Sequence, residues 1–152
     1  METLEHVIAA HPFFTGLEPH YLEPLVSCAS NMRFQAGTYI FKVGGEANEF
    51  YLIRAGRVAL EVIAPQQKPI IVSTLDKGEI LGWSWLLPPY KWKFDARAIE
   101  DTRAIALDAK CLRTKCEQNH DLGYELLKRF AQIVDRRLEA TRLQLLDVYT
   151  VR

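Results

Sequence analysis

No apolar run in this 152-residue sequence approaches the roughly 18 residues that a membrane-crossing helix needs. The opening METLEHVIAAHPFF lacks the basic start and long apolar stretch of a secretory signal, so a cytoplasmic location with no membrane attachment is expected. Neither sign of charge is in excess. Nineteen Lys and Arg meet nineteen Asp and Glu, which argues against a strongly cationic nucleic-acid binder. Cysteine is scarce: Cys28, Cys111 and Cys116 do not make a disulfide framework and are expected to be small buried thiols. Histidine is absent from residues 31–108, which removes the commonest general base and metal ligand from that stretch. No nucleophile–base pair or metal-ligand triplet shows a recognisable spacing, so neither an enzyme nor a metal or cofactor protein is expected. One weaker arrangement stands apart. If residues 116–120 are helical, Cys116 and His120 share a face and would suit a metal, or, with Cys111, a redox role.

What is present fits one globular domain, since 49% of the residues are hydrophobic and 25% charged. Residues 1–30 read as short helices: Leu4, Val7 and Ile8 have helical spacing, Tyr21, Leu22, Leu25 and Val26 share a face, and Pro19 suits a first turn. From Asn31 to Asp108 the texture is of short β-type runs punctuated by Gly37, Gly44, Gly45, Gly56 and Gly78. Val58, Leu60 and Val62 alternate with Arg57, Ala59 and Glu61, as a half-buried strand does. The predicted fold is mainly β, an antiparallel β-roll or jelly roll over 31–108, flanked by short N-terminal helices and by C-terminal helices over 109–152. In the last segment a long helix begins at Leu122. Leu127, Ala131, Val134, Leu138, Thr141, Leu145 and Val148 follow one another at alternating steps of four and three, the heptad seam of a coiled coil. Leu126, Phe130 and Ile133 form a neighbouring stripe suited to packing on the roll. Homodimerisation through this helix is therefore expected.

The order of elements and the glycine spacing resemble the cyclic nucleotide-binding domain family, in particular the sensor half of bacterial regulators of the catabolite activator protein type. FFTGLEPHYLEPL resembles the family's opening, FQAGTYIFKVG its F-x-x-G-x-x-I-x-x-x-G, and ANEFYLIRAGRV its A-x-x-x-Y-x-I-x-x-G-x-V. GEIL resembles the G-E-x that opens the phosphate-binding cassette, here residues 78–94. ARAIEDTRAIALD resembles the strand after it, and RRLEATR the dimer helix. The resemblance implies that Gly78, Glu79 and Ile80 begin a ligand site. Gly78 would let a backbone amide approach a ligand, a short helix after it would aim N–H groups at a phosphate, and Glu79 would accept from a sugar hydroxyl. The alternative role for Glu79 is to cap that short helix. Cyclic AMP or cyclic GMP is the implied ligand.

The sequence departs from the family where the phosphate is held. Counting back from ARAIEDTRAIALD, the family's arginine falls on Trp92 and its hydroxyl residue on Lys93, in a cassette about three residues longer than the common form. Either Lys91 and Lys93 replace the arginine as point charges, or Trp92 turns inward and lines or plugs the pocket. Alternate residues of an extended segment face opposite ways, so the lysines and Trp92 exclude one another. Arg97 is a further candidate cation. Trp83, Trp85 and Trp92 suit stacking on a planar ligand, with core packing the favoured role for at least two of them. Pro88–Pro89 would end the short helix. On the dimer helix, Thr141 and Arg142 fall where the family contacts the base, and Thr141 equally suits setting register within the seam.

The sequence stops at LLDVYTVR, where such regulators continue into a DNA-binding domain, so direct DNA binding is not expected. Two functions follow. One is a ligand-sensing regulatory domain that takes a cyclic nucleotide or another small anion and signals through the C-terminal helix to a protein partner of unknown identity. The other is a dimeric interaction module with a degenerate, ligand-free pocket.

Overall fold

A computed structural model describes residues 3–150 of the chain. It divides into two compact units, residues 1–115 and 116–152. The first opens with helix α1 (Leu4–Ala10), whose Thr3 hydroxyl accepts from the His6 N–H at 3.2 Å and caps the first turn. A 3₁₀ turn over Pro12–Phe14 follows, capped by His11, then another over Pro19–Tyr21 that leads into α2 (Leu22–Ser27). His11 is buried, and its Nδ1 accepts from the Phe13 N–H while its Nε2 lies 3.3 Å from the Ile53 carbonyl. That pattern fixes the neutral tautomer with the proton on Nε2. Burial holds the imidazole below its ordinary pKa.

Eight strands build the roll: β1 (Ala29–Phe34), β2 (Tyr39–Phe41), β3 (Glu49–Ala55), β4 (Val58–Val62), β5 (Ile70–Leu75), β6 (Ile80–Leu81), β7 (Asp95–Ala98) and β8 (Thr102–Asp108). They pair antiparallel in two sheets ordered β1-β8-β3-β6 and β2-β7-β4-β5. The inner faces meet around Tyr51, Ile53, Val58, Leu60, Leu75, Leu81, Ala96, Ala104 and Ala106. The half-buried pattern expected for β4 is corrected: Val58 and Leu60 are core members, but Ala59 and Glu61 on the other face are buried as well, Glu61 beneath its partners Arg97 and Tyr39. The tip, with Val62 and Ile63, reaches solvent together with Ile70 and Ile71 of β5. Strands β3 and β4 reverse at Gly56, where φ is +99° and a Cβ would stand 2.4 Å from the Asp101 carbonyl, so only glycine fits. A second apolar layer forms on the far side of β3 and β8. There Phe50 meets Phe13 edge-on at 6.2 Å and stacks on Trp85 at 5.1 Å.

One expectation is corrected in this unit. Cys28, at the C-cap of α2, and Cys111, in the first turn of α3 (Ala109–Gln118), are joined as a disulfide rather than standing as separate thiols. They lie 83 positions apart in sequence, so spacing carried no signal of the pairing.

The second unit holds the end of α3 and α4 (His120–Thr150), which starts two residues before the expected Leu122. Asn119 breaks the two helices and caps α4, its Oδ1 accepting from the N–H groups of Asp121 and Leu122 at 3.1 and 3.2 Å. Cys116 and His120 consequently sit on different helices, not on one face, and among the described residues no group of three or more His, Cys, Asp or Glu is placed to hold a metal. Gly123 lies so close to Cys116 that a Cβ would stand 3.3 Å from the Cys116 Cβ. Burial raises the pKa of the free Cys116 thiol, with Glu117 adding to the shift. Along α4, Leu122, Leu126, Phe130 and Ile133 are buried. The predicted seam residues Leu127, Val134, Leu138, Leu145 and Val148 are exposed. No helix among the described residues is long and apolar enough to cross a membrane.

Candidate ligand cassette

The cassette is not built as the family pattern suggests. Residues 78–94 contain no helix: β6 occupies Ile80–Leu81, and turns fill the rest up to β7. Gly82 (φ +97°) leaves β6 in a conformation that cannot begin a right-handed helix. A turn closes from the Leu86 N–H to the Trp83 carbonyl, and a second from the Tyr90 N–H to the Leu87 carbonyl spans the cis Pro88–Pro89 bond. The two prolines therefore shape a turn and end no helix.

Gly78 and Glu79 lie at the opposite end of β6 from these turns. The Gly78 N–H donates to the Ile53 carbonyl at 3.0 Å, and Pro12 Cγ would meet a Cβ there at 3.3 Å, so that amide is engaged by the protein itself. The Glu79 carboxylate is exposed and accepts from the Asp76 N–H at 3.1 Å, closing the β5–β6 turn. The short helix that Glu79 is alternatively expected to cap is not formed, and its carboxylate closes a turn. Ile80 is buried at 2% exposure and contributes packing.

Trp92 faces inward. It is buried, stacked on Phe41 with ring centroids 3.7 Å apart and planes 5° from parallel. Its backbone is pinned to the opposite loop: the Trp92 N–H donates to the Gly45 carbonyl at 2.9 Å, and the Gly44 N–H donates to the Trp92 carbonyl at 2.8 Å. The far edge of the indole rests on Gly82, where a Cβ would stand 2.6 Å from Trp92 Cζ3. Lys91 and Lys93, on either side, are exposed, as alternation requires. Arg97 supplies no inward cation either. It alternates with the core residue Ala96, and its guanidinium is paired with buried Glu61 at 2.7 Å, with the Tyr39 hydroxyl donating to the same carboxylate at 3.1 Å. That hydrogen bond and charge raise the Arg97 pKa. Thr141 and Arg142 belong to the second unit and are exposed. The Thr141 hydroxyl donates to the Arg137 carbonyl at 2.8 Å, and Arg142 pairs with Glu139 one turn back.

Trp85 is fully buried against Phe50, so two of the three tryptophans serve packing, while Trp83 is half-buried. Sequence reasoning missed Arg113. Reaching from α3, its Nη1 donates to the Trp85 carbonyl at 2.6 Å and its guanidinium lies 4.2 Å above the Tyr90 ring. The cassette is thus tied at both flanks, to the 44–45 loop through Trp92 and to α3 through Arg113.

The fold is thus a two-sheet antiparallel β-roll entered by short helices, with a turn-rich cassette between β6 and β7. The profile of the cyclic nucleotide-binding domain matches residues 31–119, and the chain belongs to that family. It is 23% identical over 145 residues to the CRP-like cAMP-activated global transcriptional regulator of Mycobacterium tuberculosis, covering 95% of this chain and 63% of that protein. It is also 33% identical over 75 residues, 49% of this chain and 22% of the relative, to the acetyltransferase Pat of Mycolicibacterium smegmatis. The chain therefore spans less than two thirds of the length of these two curated relatives. The crystal structure of a putative cyclic nucleotide-binding protein from Geobacter metallireducens superposes with a TM-score of 0.80 at 26% identity, covering 90% of this chain and 99% of that one.

Proposed function

We infer that this chain is a non-enzymatic regulatory module that works as a homodimer along α4, and that its cassette is closed by Trp92 instead of being open to a cyclic nucleotide. One observation carries the reading. The position where the resemblance expects a phosphate-binding arginine is a buried indole stacked between Phe41 and Gly82, with no cation beside it pointing inward. A cyclic phosphate brought there would lose water without gaining a partner, which costs several kcal/mol on the order expected for an unpaired buried charge. The exposed seam on α4 supports the dimer, because a row of apolar side chains at heptad spacing is stabilised by a second copy. Relatives that attach such a domain to a transcriptional regulator and to an acetyltransferase support a module that serves different outputs. A cytoplasmic setting and a protein partner belong to the same proposal.

A second reading, a sensor that opens on a small anion, draws on the placement of Lys91 and Lys93. Slipping the segment by one residue would exchange the buried indole for an inward lysine. Calorimetric titration with cyclic AMP and cyclic GMP separates the two. The closed-cassette reading expects no heat and no thermal shift with either. Saturable heat with either nucleotide would sink it and favour the sensor.

A further inference from the structure

The most concentrated charge in the first unit lies outside the cassette. Arg33 of β1 stands directly across from Arg103 of β8, and Arg103 stands across from Ala55 at the β3 irregularity that contains Arg54. Arg33 alternates with Met32 and Phe34, which pack on the core, and Arg103 with the core residue Ala104, so both side chains lie on the outer face of the sheet, exposed. Three arginines therefore cross three adjacent strands, a span of about 10 Å. They line a depression of about 580 Å³ with Asn31, and no carboxylate lines it. A second depression of similar volume shares Arg54 and adds Lys77, with Val7, Ala10 and Pro12 as an apolar wall. Among the described residues no carboxylate is within ion-pair distance of Arg33 or Arg103.

Like charges directly opposite one another on a sheet are destabilising, and an anion shared between them removes the repulsion. The arginine fork binds carboxylates in pairs of hydrogen bonds. We propose that this outer-face groove docks an acidic, partly apolar segment of a partner protein, its carboxylates meeting Arg33 and Arg103 and its apolar side chains meeting Val7, Ala10 and Pro12. Protein is favoured over nucleic acid for two reasons. The cations line concavities, whereas base readout in a duplex requires an element that protrudes into a groove. The chain also has zero net charge, so it lacks the long-range field that gathers phosphate backbones. An extended segment presents side chains on one face about every 6.8 Å, within reach of long arginine arms.

The test uses the full chain and a fluorescein-labelled ten-residue peptide of repeating Glu-Glu-Leu, read by anisotropy. Saturable binding at low salt is expected, at least tenfold weaker in Arg33→Glu/Arg103→Glu and unchanged in Lys110→Glu, a control on exposed α3 surface that matches the charge change of a single arginine reversal such as Arg103→Glu. The single variant Arg103→Glu gives a readout that a merely structural role would not. It places opposite charges across β1 and β8, so its Tm is expected to rise while peptide binding falls. Equal binding by wild type and the double variant overturns the proposal, as does equal loss in Lys110→Glu. Tighter binding of a 20-base-pair DNA duplex than of the peptide, abolished by the same double variant, overturns it in favour of nucleic acid. None of these outcomes depends on the state of the cassette.

Discussion

The roll and the long helix dispose of their apolar residues in opposite ways. In the first unit Trp85, Phe50, Leu52 and Ile105 are wholly withdrawn from solvent, and the β4–β5 tip is where large apolar groups cluster outside. In the second, α4 buries one stripe and exposes a full second one, with Leu138 at 64% and Val148 at 70%. Exposed apolar surface arranged at heptad spacing is a stronger indication of a missing contact than scattered exposed leucines are. The roll thus has the features of a body that folds around its own contents, and the helix those of a surface shaped for another chain. Substitutions should behave accordingly: in the roll they should change stability at any protein concentration, and in the seam they should change association.

The largest effect is expected from Trp85→Ala, which removes a fully buried indole from its stack on Phe50. A loss of about 3–5 kcal/mol is expected, read as a lower urea midpoint whose difference from wild type is the same at every protein concentration. A difference that changed with protein concentration would blur the distinction between the two regions. Next is the Cys28–Cys111 link, which closes a loop across 83 positions within the first unit. Cys28→Ser/Cys111→Ser is expected to lose about 2–5 kcal/mol relative to the oxidised protein. Reductant should lower the wild-type midpoint and leave the variant's midpoint unmoved. In reducing cytoplasm such bonds are rare and often serve as redox sensors, so the size of this step also measures how far redox state reaches into the roll.

Gly82→Ala comes third. Its positive φ costs an L-residue about 1–2 kcal/mol, and the added methyl meets the edge of Trp92 at 2.6 Å, an overpacking worth about 1–3 kcal/mol. The same change in a Trp92→Ala background is expected to cost less, because only the backbone contribution remains. Equal costs in both backgrounds would mean that Trp92 does not rest where the stack places it. For the helix, Leu138→Asp is expected to weaken self-association at least tenfold, or about 1.4 kcal/mol, by sedimentation equilibrium. The monomer's urea midpoint should stay nearly unchanged. A drop in monomer stability as large as that of Trp85→Ala would place Leu138 in a core instead of a seam.

The strands, the order of the helices and the two stripes of α4 were readable because glycine-punctuated β-type runs and heptad spacing repeat along the chain, the latter over Leu127–Leu145, whereas the half-buried alternation expected of β4 fails because Ala59 and Glu61 are buried too. The inward turn of Trp92 was half readable. Alternation tied it to the outward lysines, and a glycine at position 82 was the available sign that something large lies against the backbone there. Three features were not readable. The disulfide joins residues that only the fold brings together. The cassette turns depend on a positive φ at Gly82 that overrides any helical tendency in the residues after it. Arg113 has the spacing of any helix-surface arginine, and its role exists only once folding carries Trp85 and Tyr90 against α3.

Glu79 gives the smallest expected effect and the sharpest check on the cassette. The motif places it at the head of a ligand site, yet its carboxylate is exposed and accepts one hydrogen bond, from the Asp76 N–H within its own turn. An exposed hydrogen bond of this kind contributes at most about 1 kcal/mol, and a glutamine oxygen can accept in its place. Glu79→Gln is therefore expected to shift the urea midpoint by less than about 0.5 kcal/mol. Nucleotide titrations should look the same for variant and wild type. A variant that keeps its stability but changes the heat of a nucleotide titration would bring Glu79 back into a binding site. It would also require β6 and its two flanking turns to move together, because Gly82 and Trp92 hold one end of that strand while Gly78 and Ile53 hold the other.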